Sequence, residues 1–294
     1  MSVIIAFQQR SLSRPPYLSA KEIIGFFFRL AYCNVVAAPP QSRRTYCAIC
    51  CAYVTLLPYV HQEGASLEEV LLTLVGGFEY EEIIAFKLDE LFVWTLLLMS
   101  YLRCVSIAMQ EEYDGRCKDT LYRFSSYRSW YMNQAIAASV ACAGITLLIV
   151  IGAVTGALLW GRGQFGAIMA TMEGFYAPAW QHCLIALGLL LCNALMLTQW
   201  QMLVHLVTGH VVTAAAAFLL PIVASLYACS NAYLHPISVQ YNPINWGMYM
   251  RSNYMSDPGF PILRAVIGQL GIAAVCAWMG GLLARKVNLA GRHP

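Results

Sequence analysis

Charge is what this sequence has least of. Asp, Glu, Lys and Arg make up 11% of its 294 residues, against about 25% in ordinary soluble domains. Hydrophobic residues reach 59%, and windows of roughly twenty residues run almost without charge, the length that crosses about 30 Å of hydrocarbon. This composition excludes a soluble domain.

Further absences narrow the reading. Segments of about ten residues alternating apolar and polar are lacking, which excludes a membrane β-barrel. Arg and Lys are scattered instead of forming a stripe with aromatics, so nucleic acid is not an expected partner. No G-x-x-x-x-G-K-[ST] occurs, and Lys21, Lys87, Lys118 and Lys286 each follow a residue other than glycine, so the chain builds no P-loop of its own. G-x-S-x-G is missing too, and with it the anchor of a hydrolase nucleophile.

Glu111-Glu112-x-x-x-Arg116 matches the E-E-x-x-x-R of intramembrane CAAX-type proteases, but no Phe has the required His four residues later. The protease is therefore a remote alternative, and the chain reads as a non-enzyme that binds no metal or cofactor itself. The eleven cysteines fall mostly within or beside apolar runs and read as small hydrophobes. Cys47, Cys50 and Cys51 give one C-x-x-C without a second pair at zinc spacing. The acidic stretch from His61 to Glu90 lacks a D-x-D-x-D-G calcium loop and reads as solvated.

What is present reads as an all-α polytopic membrane protein with six transmembrane helices, an N-terminal interfacial helix and both termini cytoplasmic. Residues 1–44 form a cytoplasmic lead and the interfacial, or elbow, helix. There Leu18 to Ala38 sets Phe26, Phe27 and Phe28 against Lys21, Glu22 and Arg29, and Arg29 also argues against a cleaved signal peptide. Pro39-Pro40 ends that helix, and Arg43-Arg44 holds the next start inside.

Residues 45–294 form the six-helix domain. The expected spans are Thr45 to Tyr59, Leu91 to Met109, Ala135 to Leu159, Cys183 to Leu203, Val211 to Ser230, and Ile262 to Leu283. The acidic loop after the first span, lacking arginine, falls outside, with Leu67 to Phe78 as a short helix on the outer leaflet. Arg116, Lys118, Arg123 and Arg128 place the polar segment 111–131 in the cytoplasm, and Arg285-Lys286 does the same for the C-terminal end.

Gly152-x-x-x-Gly156 gives the third span a bare face for close helix packing. Segment 231–261, rich in Asn, Pro, Tyr and Met, reads as an outer, re-entrant piece, since non-helical backbone at membrane depth needs shielding by protein or a wet cavity. His205 and His210 frame a turn between two spans, at a spacing that does not share a helical face.

The layout resembles the transmembrane subunit of ABC-2 type ABC transporters, the permease group that includes small bacterial exporters of peptides and antibiotics. An interfacial helix and basic pair precede span one. Glu111/Glu112, Gly115, Arg123, Ser125/Ser126, Arg128 and Trp130 follow the order of the family's segment between spans two and three. Asn242-Pro-Ile-Asn-Trp246 and Tyr249-Met-Arg-Ser-Asn-Tyr254 are similar to its re-entrant region. The long acidic outer loop and Ser126-Tyr127, in place of a basic pair, depart from the pattern.

The resemblance implies a permease subunit in a bacterial cell membrane, working as a homodimer or with a homologous second permease chain. A separate ATP-binding subunit, itself a dimer carrying the ATP and Mg, would dock on Tyr122, Arg123, Phe124, Ser125, Tyr127, Arg128 and Trp130. Asn242, Pro243, Trp246 and Arg251 would lie in the outer re-entrant segment. Spans three to six hold no deep carboxylate or lysine, which points to a hydrophobic or amphipathic cargo such as a peptide, antibiotic or lipid. The alternative is a non-transporting membrane scaffold, an immunity or sensor subunit.

Overall fold

The computed structural model describes residues 66–77, 94, 97–103, 105, 106, 109, 126–159, 168–170, 176–229, 236–256 and 259–284. The expected interfacial helix, the first span, the C-x-x-C, most of the acidic stretch, residues 111–125 and Arg285-Lys286 lie outside the described residues. Where it is described, the chain is mostly helical.

The described helices are α1 (Leu67–Val75), α2 (Tyr127–Leu159), α3 (Ala179–Thr208), α4 (Val211–Cys229), the short α5 (Pro236–Tyr241) and α6 (Ile262–Leu283). Residues 97–103 are also helical. Among the described residues, three stretches, Tyr127–Thr155, Ala179–Thr208 and Ile262–Leu283, are long and apolar enough to cross a membrane. A small antiparallel pair of strands, β1 (Ile168–Ala170) and β2 (Tyr176–Pro178), joins α2 to α3, with Met169 opposite Ala177.

α3 is the hub. It packs against α1, α2, α4 and α6, and its buried face carries His182, Asn193, Thr198, Gln199, Gln201 and His205. Meanwhile Leu184 on α3, Leu147 on α2 and Leu263 on α6 are 59%, 59% and 72% exposed. Polar side chains inside and large apolar ones outside invert the soluble pattern, and apolar faces this extensive belong against lipid. The described part is that of a membrane protein.

In lipid the hydrophobic effect does not drive helices together, so packing and interhelical hydrogen bonds must. The polar residues of α3 reach several neighbours. Gln199 Nε2 donates to Ala135 O on α2 at 3.0 Å, and Gln201 Nε2 to Ser106 Oγ at 2.8 Å. Thr198 Oγ1 lies 3.2 Å from Cys142 Sγ on α2. Such bonds contribute on average about 0.6 kcal/mol each in a membrane. The C-terminal end of α3 stops at Gly209, whose φ of 72° is left-handed and whose N–H donates to His205 O at 2.8 Å.

Three expectations change. α2 starts at Tyr127, eight residues before Ala135, because Ser126 caps it: Ser126 Oγ accepts from the N–H of Ser129 at 3.1 Å. A helix of 33 residues is about 50 Å long, so it extends past a hydrocarbon core of about 30 Å. Second, α1 does not lie on a surface. Leu67, Val70, Leu72, Leu74 and Val75 are all buried, as is Glu68, and the helix packs on α3 and α2. Third, the β1–β2 pair has no counterpart in the all-α expectation.

Candidate functional site

Two regions gather the residues singled out from sequence, at opposite ends of the bundle. The first is the start of α2. Tyr127 and Arg128 are exposed on its first turn, whereas Trp130 and Tyr131 are fully buried. These two join a cluster with Val105 and Met109, Met202 and Leu206 of α3, and Ala284 after α6. The Tyr131 ring lies over Gly280, and the stem of Arg128 runs beside Gly281. The turn that carries the exposed pair is thus anchored on the ends of α3 and α6 through Trp130 and Tyr131. Trp130 offers a partner no surface, and its role is to anchor that turn. Tyr122, Arg123, Phe124 and Ser125 lie outside the described residues.

Gly152 is buried in α2 beside the buried Ala153. Gly156 lies one turn further along the same helix.

The second region is residues 242–256, between α5 and α6. Two single turns of 3-10 helix, Asn245–Gly247 and Tyr249–Arg251, replace regular structure. Asn242 starts the turn by accepting the Ile244 N–H on Oδ1 at 3.0 Å. Two carboxamides then clamp successive backbone carbonyls: Gln269 Nε2 of α6 donates to Pro243 O at 3.2 Å, and Asn193 Nδ2 of α3 to Ile244 O at 2.8 Å. Asn193 stands midway along α3, so this non-helical piece reaches far into the bundle, where enclosing spans must satisfy its backbone.

Trp246 is buried over Gly268 of α6, and its Nε1 donates to Gln240 O at 2.7 Å. Bare backbone at Gly268 is required, since a Cβ there would collide with the indole. The segment also meets α1: Met250 N donates to Gly76 O at 3.0 Å, and Met248 packs against Gly77, whose φ is 83°.

At the centre sits Arg251, fully buried. Its Nη1 donates to Asn245 Oδ1 at 2.8 Å, and the same oxygen accepts from Ser225 Oγ of α4 at 2.7 Å. A buried guanidinium is costly unless hydrogen-bonded, so this shared acceptor has a structural purpose. Nearby, His182 Nδ1 of α3 and the Tyr249 hydroxyl are hydrogen-bonded, and Cys183 Sγ donates to Glu68 O at 3.1 Å. Burial pushes the Tyr249 phenol above its ordinary range, with Tyr254 and Cys183 adding to the effect, so it stays protonated.

The structure therefore brings Asn242, Pro243, Trp246 and Arg251 together. It adds residues that the sequence reading passed over: Asn193 and Gln269, whose signal was a carboxamide inside an apolar run, and Asn245, hidden within the quoted Asn-Pro-Ile-Asn-Trp. Ser225 carried no signal. Among the described residues, no group of three or more His, Cys, Asp or Glu is placed to hold a metal ion.

Set against protein-family models, curated proteins and solved structures, the chain matches none of them.

Proposed function

We propose that the chain is the permease subunit of an ATP-driven transporter. It has six spans in a bacterial cell membrane, and it exports a hydrophobic or amphipathic cargo with energy supplied by a separate ATPase subunit. The observation that carries this reading is the first turn of α2. There exposed Tyr127 and Arg128 adjoin buried Trp130 and Tyr131, which are keyed into the ends of α3 and α6. Force applied from outside to that turn passes directly to two spans.

Arg128 is not there for the helix. A cation in the first turn opposes the helix dipole, at a cost of about 0.3–1 kcal/mol. An exposed aromatic beside an arginine suits a partner surface, where both types concentrate binding energy. The polar segment 242–256, enclosed at the opposite end, supports a path through the bundle, because buried polar and charged groups in spans mark substrate routes.

In this reading the ATPase dimer binds segment 111–131 from the cytoplasm and holds the ATP and Mg, and a second permease chain, the same or homologous, completes the complex. Phe124→Asp and Arg128→Glu test it. Both variants insert into the membrane normally but lose transport and ATPase stimulation. Unchanged coupled activity in both would refute the reading.

A further inference from the structure

α4 contains Pro221 inside the helix. Proline has no N–H, so the carbonyl one turn earlier, that of Ala217, loses its helical donor, and the ring crowds that carbonyl, which weakens the helix at this point. The missing donor comes from another span: Trp200 Nε1 of α3 donates to Ala217 O at 3.0 Å. The weak point of α4 is therefore pinned to α3.

The rest of α4 is held along one stripe. Ala214, Phe218, Ile222 and Ser225 are buried, while Val212, Leu220 and Val223 on the other side are 81%, 72% and 63% exposed. Among the described residues, α4 packs along α3 and touches α5, with no comparable packing on α2 or α6. Beyond Pro221, Ser225 Oγ donates to Asn245 Oδ1, the oxygen that also holds Arg251. Segment 242–256 itself is fastened to α3 by Asn193 and His182, and to α6 by Gln269 and the Trp246 contact.

We infer that residues 222–229 form a hinged arm that swings about Pro221, with the Trp200–Ala217 bond as its pivot and the Ser225–Asn245 bond as its latch. Segment 242–256 stays with α3 and α6 while the arm moves. Release of the latch opens the Asn245–Arg251 centre sideways, past the arm whose outer side carries the exposed Val223. A side opening suits an amphipathic molecule arriving from lipid, whose hydrogen-bond-accepting head replaces Asn245 as a partner of Arg251. That use of the hinge rests on the transport reading, whereas the hinge belongs to this chain alone.

Hydrogen–deuterium exchange of the full chain in lipid nanodiscs tests it, with Pro221→Ala and Ser225→Ala beside the parent. Pro221→Ala returns an N–H to the Ala217 carbonyl, so amides 222–229 slow about tenfold, and Ser225→Ala removes the latch, so they quicken by a similar factor, as local opening equilibria shift. Trp200→Phe, which removes the pivot while leaving the proline, raises exchange around 217–222 and covers the case in which Pro221→Ala does not fold. Amides 222–229 that are unchanged in all three variants overturn the hinge. Variants that behave as expected in a chain that binds no ATPase leave the hinge standing and remove the transport reading. A bound ATPase with an unresponsive arm does the reverse.

Discussion

The Tyr131 ring lies against the backbone of Gly280, so the N-terminal end of α2 meets the last turn of α6 with no α6 side chain between them. Adding a methyl there drives it into the ring and costs about 1–3 kcal/mol as an overpacked core. Gly271, more than two turns earlier on the same helix, has open space around its absent Cβ. Gly271→Ala is therefore neutral or stabilising by about 0.5–1 kcal/mol from helix propensity. Thermal unfolding in detergent separates the two, with Gly280→Ala melting below the parent and Gly271→Ala at or above it.

Asn245 gives one oxygen to two donors, Ser225 and the buried Arg251. Asn245→Leu fills the same space without an acceptor and costs about 1.5–3 kcal/mol, the range for a hydrogen bond to a charged group. Asn245→Asp keeps both bonds and adds a counter-charge, so it stays within about 1 kcal/mol of the parent or exceeds it. Equal losses in the two variants would mean that shape, and not the acceptor, matters at this position. Melting temperature at fixed detergent and pH reads the difference.

Ser126 caps α2 through the Ser129 N–H. Ser126→Ala removes that acceptor at a cost of about 1 kcal/mol, which falls on the first turn. Amides 129 and 130 then exchange faster, and the turn bearing Tyr127 and Arg128 loosens. In the transport reading, ATPase stimulation falls while binding of the subunit persists. Ser126→Asp, an equally good cap that also suits the helix dipole, restores protection.

Among the described residues, much of the helical layout was legible in the sequence. α6 occupies Ile262–Leu283, the range that its apolar run between Pro261 and Arg285 marks out. α4 coincides with its run to within a residue. The start of α2 was not legible, because Tyr-Arg-Ser-Trp-Tyr-Met-Asn-Gln reads as a polar interruption until Ser126 is seen as a cap and Trp130 and Tyr131 find α3 and α6. Leu67–Val75 shows helical spacing, but burial of both its faces depends on partners far away in sequence, such as Cys183. Three-residue strands carry no readable period at all. At the polar centre, the proline and asparagine of residues 242–246 announce irregular backbone. Which asparagine meets Arg251 is decided only by the fold.

The coupling claim rests on the exposed turn of α2, and it also extends to the contact residues Tyr122, Arg123, Phe124 and Ser125. Tyr127→Asp adds a negative charge at a position 41% exposed, so insertion and melting stay near the parent. Loss of stimulation without loss of stability is the outcome expected of a contact residue. A stability loss with coupling intact would assign Tyr127 to the membrane interface instead.

The most direct test of the account is purification of the chain from its native membrane in mild detergent. The transport reading predicts that an ATPase subunit of roughly 25–35 kDa, the size of one or two ordinary domains, co-purifies with it. Arg128→Glu is predicted to remove that band while the permease yield stays the same. Recovery of the chain without any ATPase would contradict the reading and favour a non-transporting membrane scaffold.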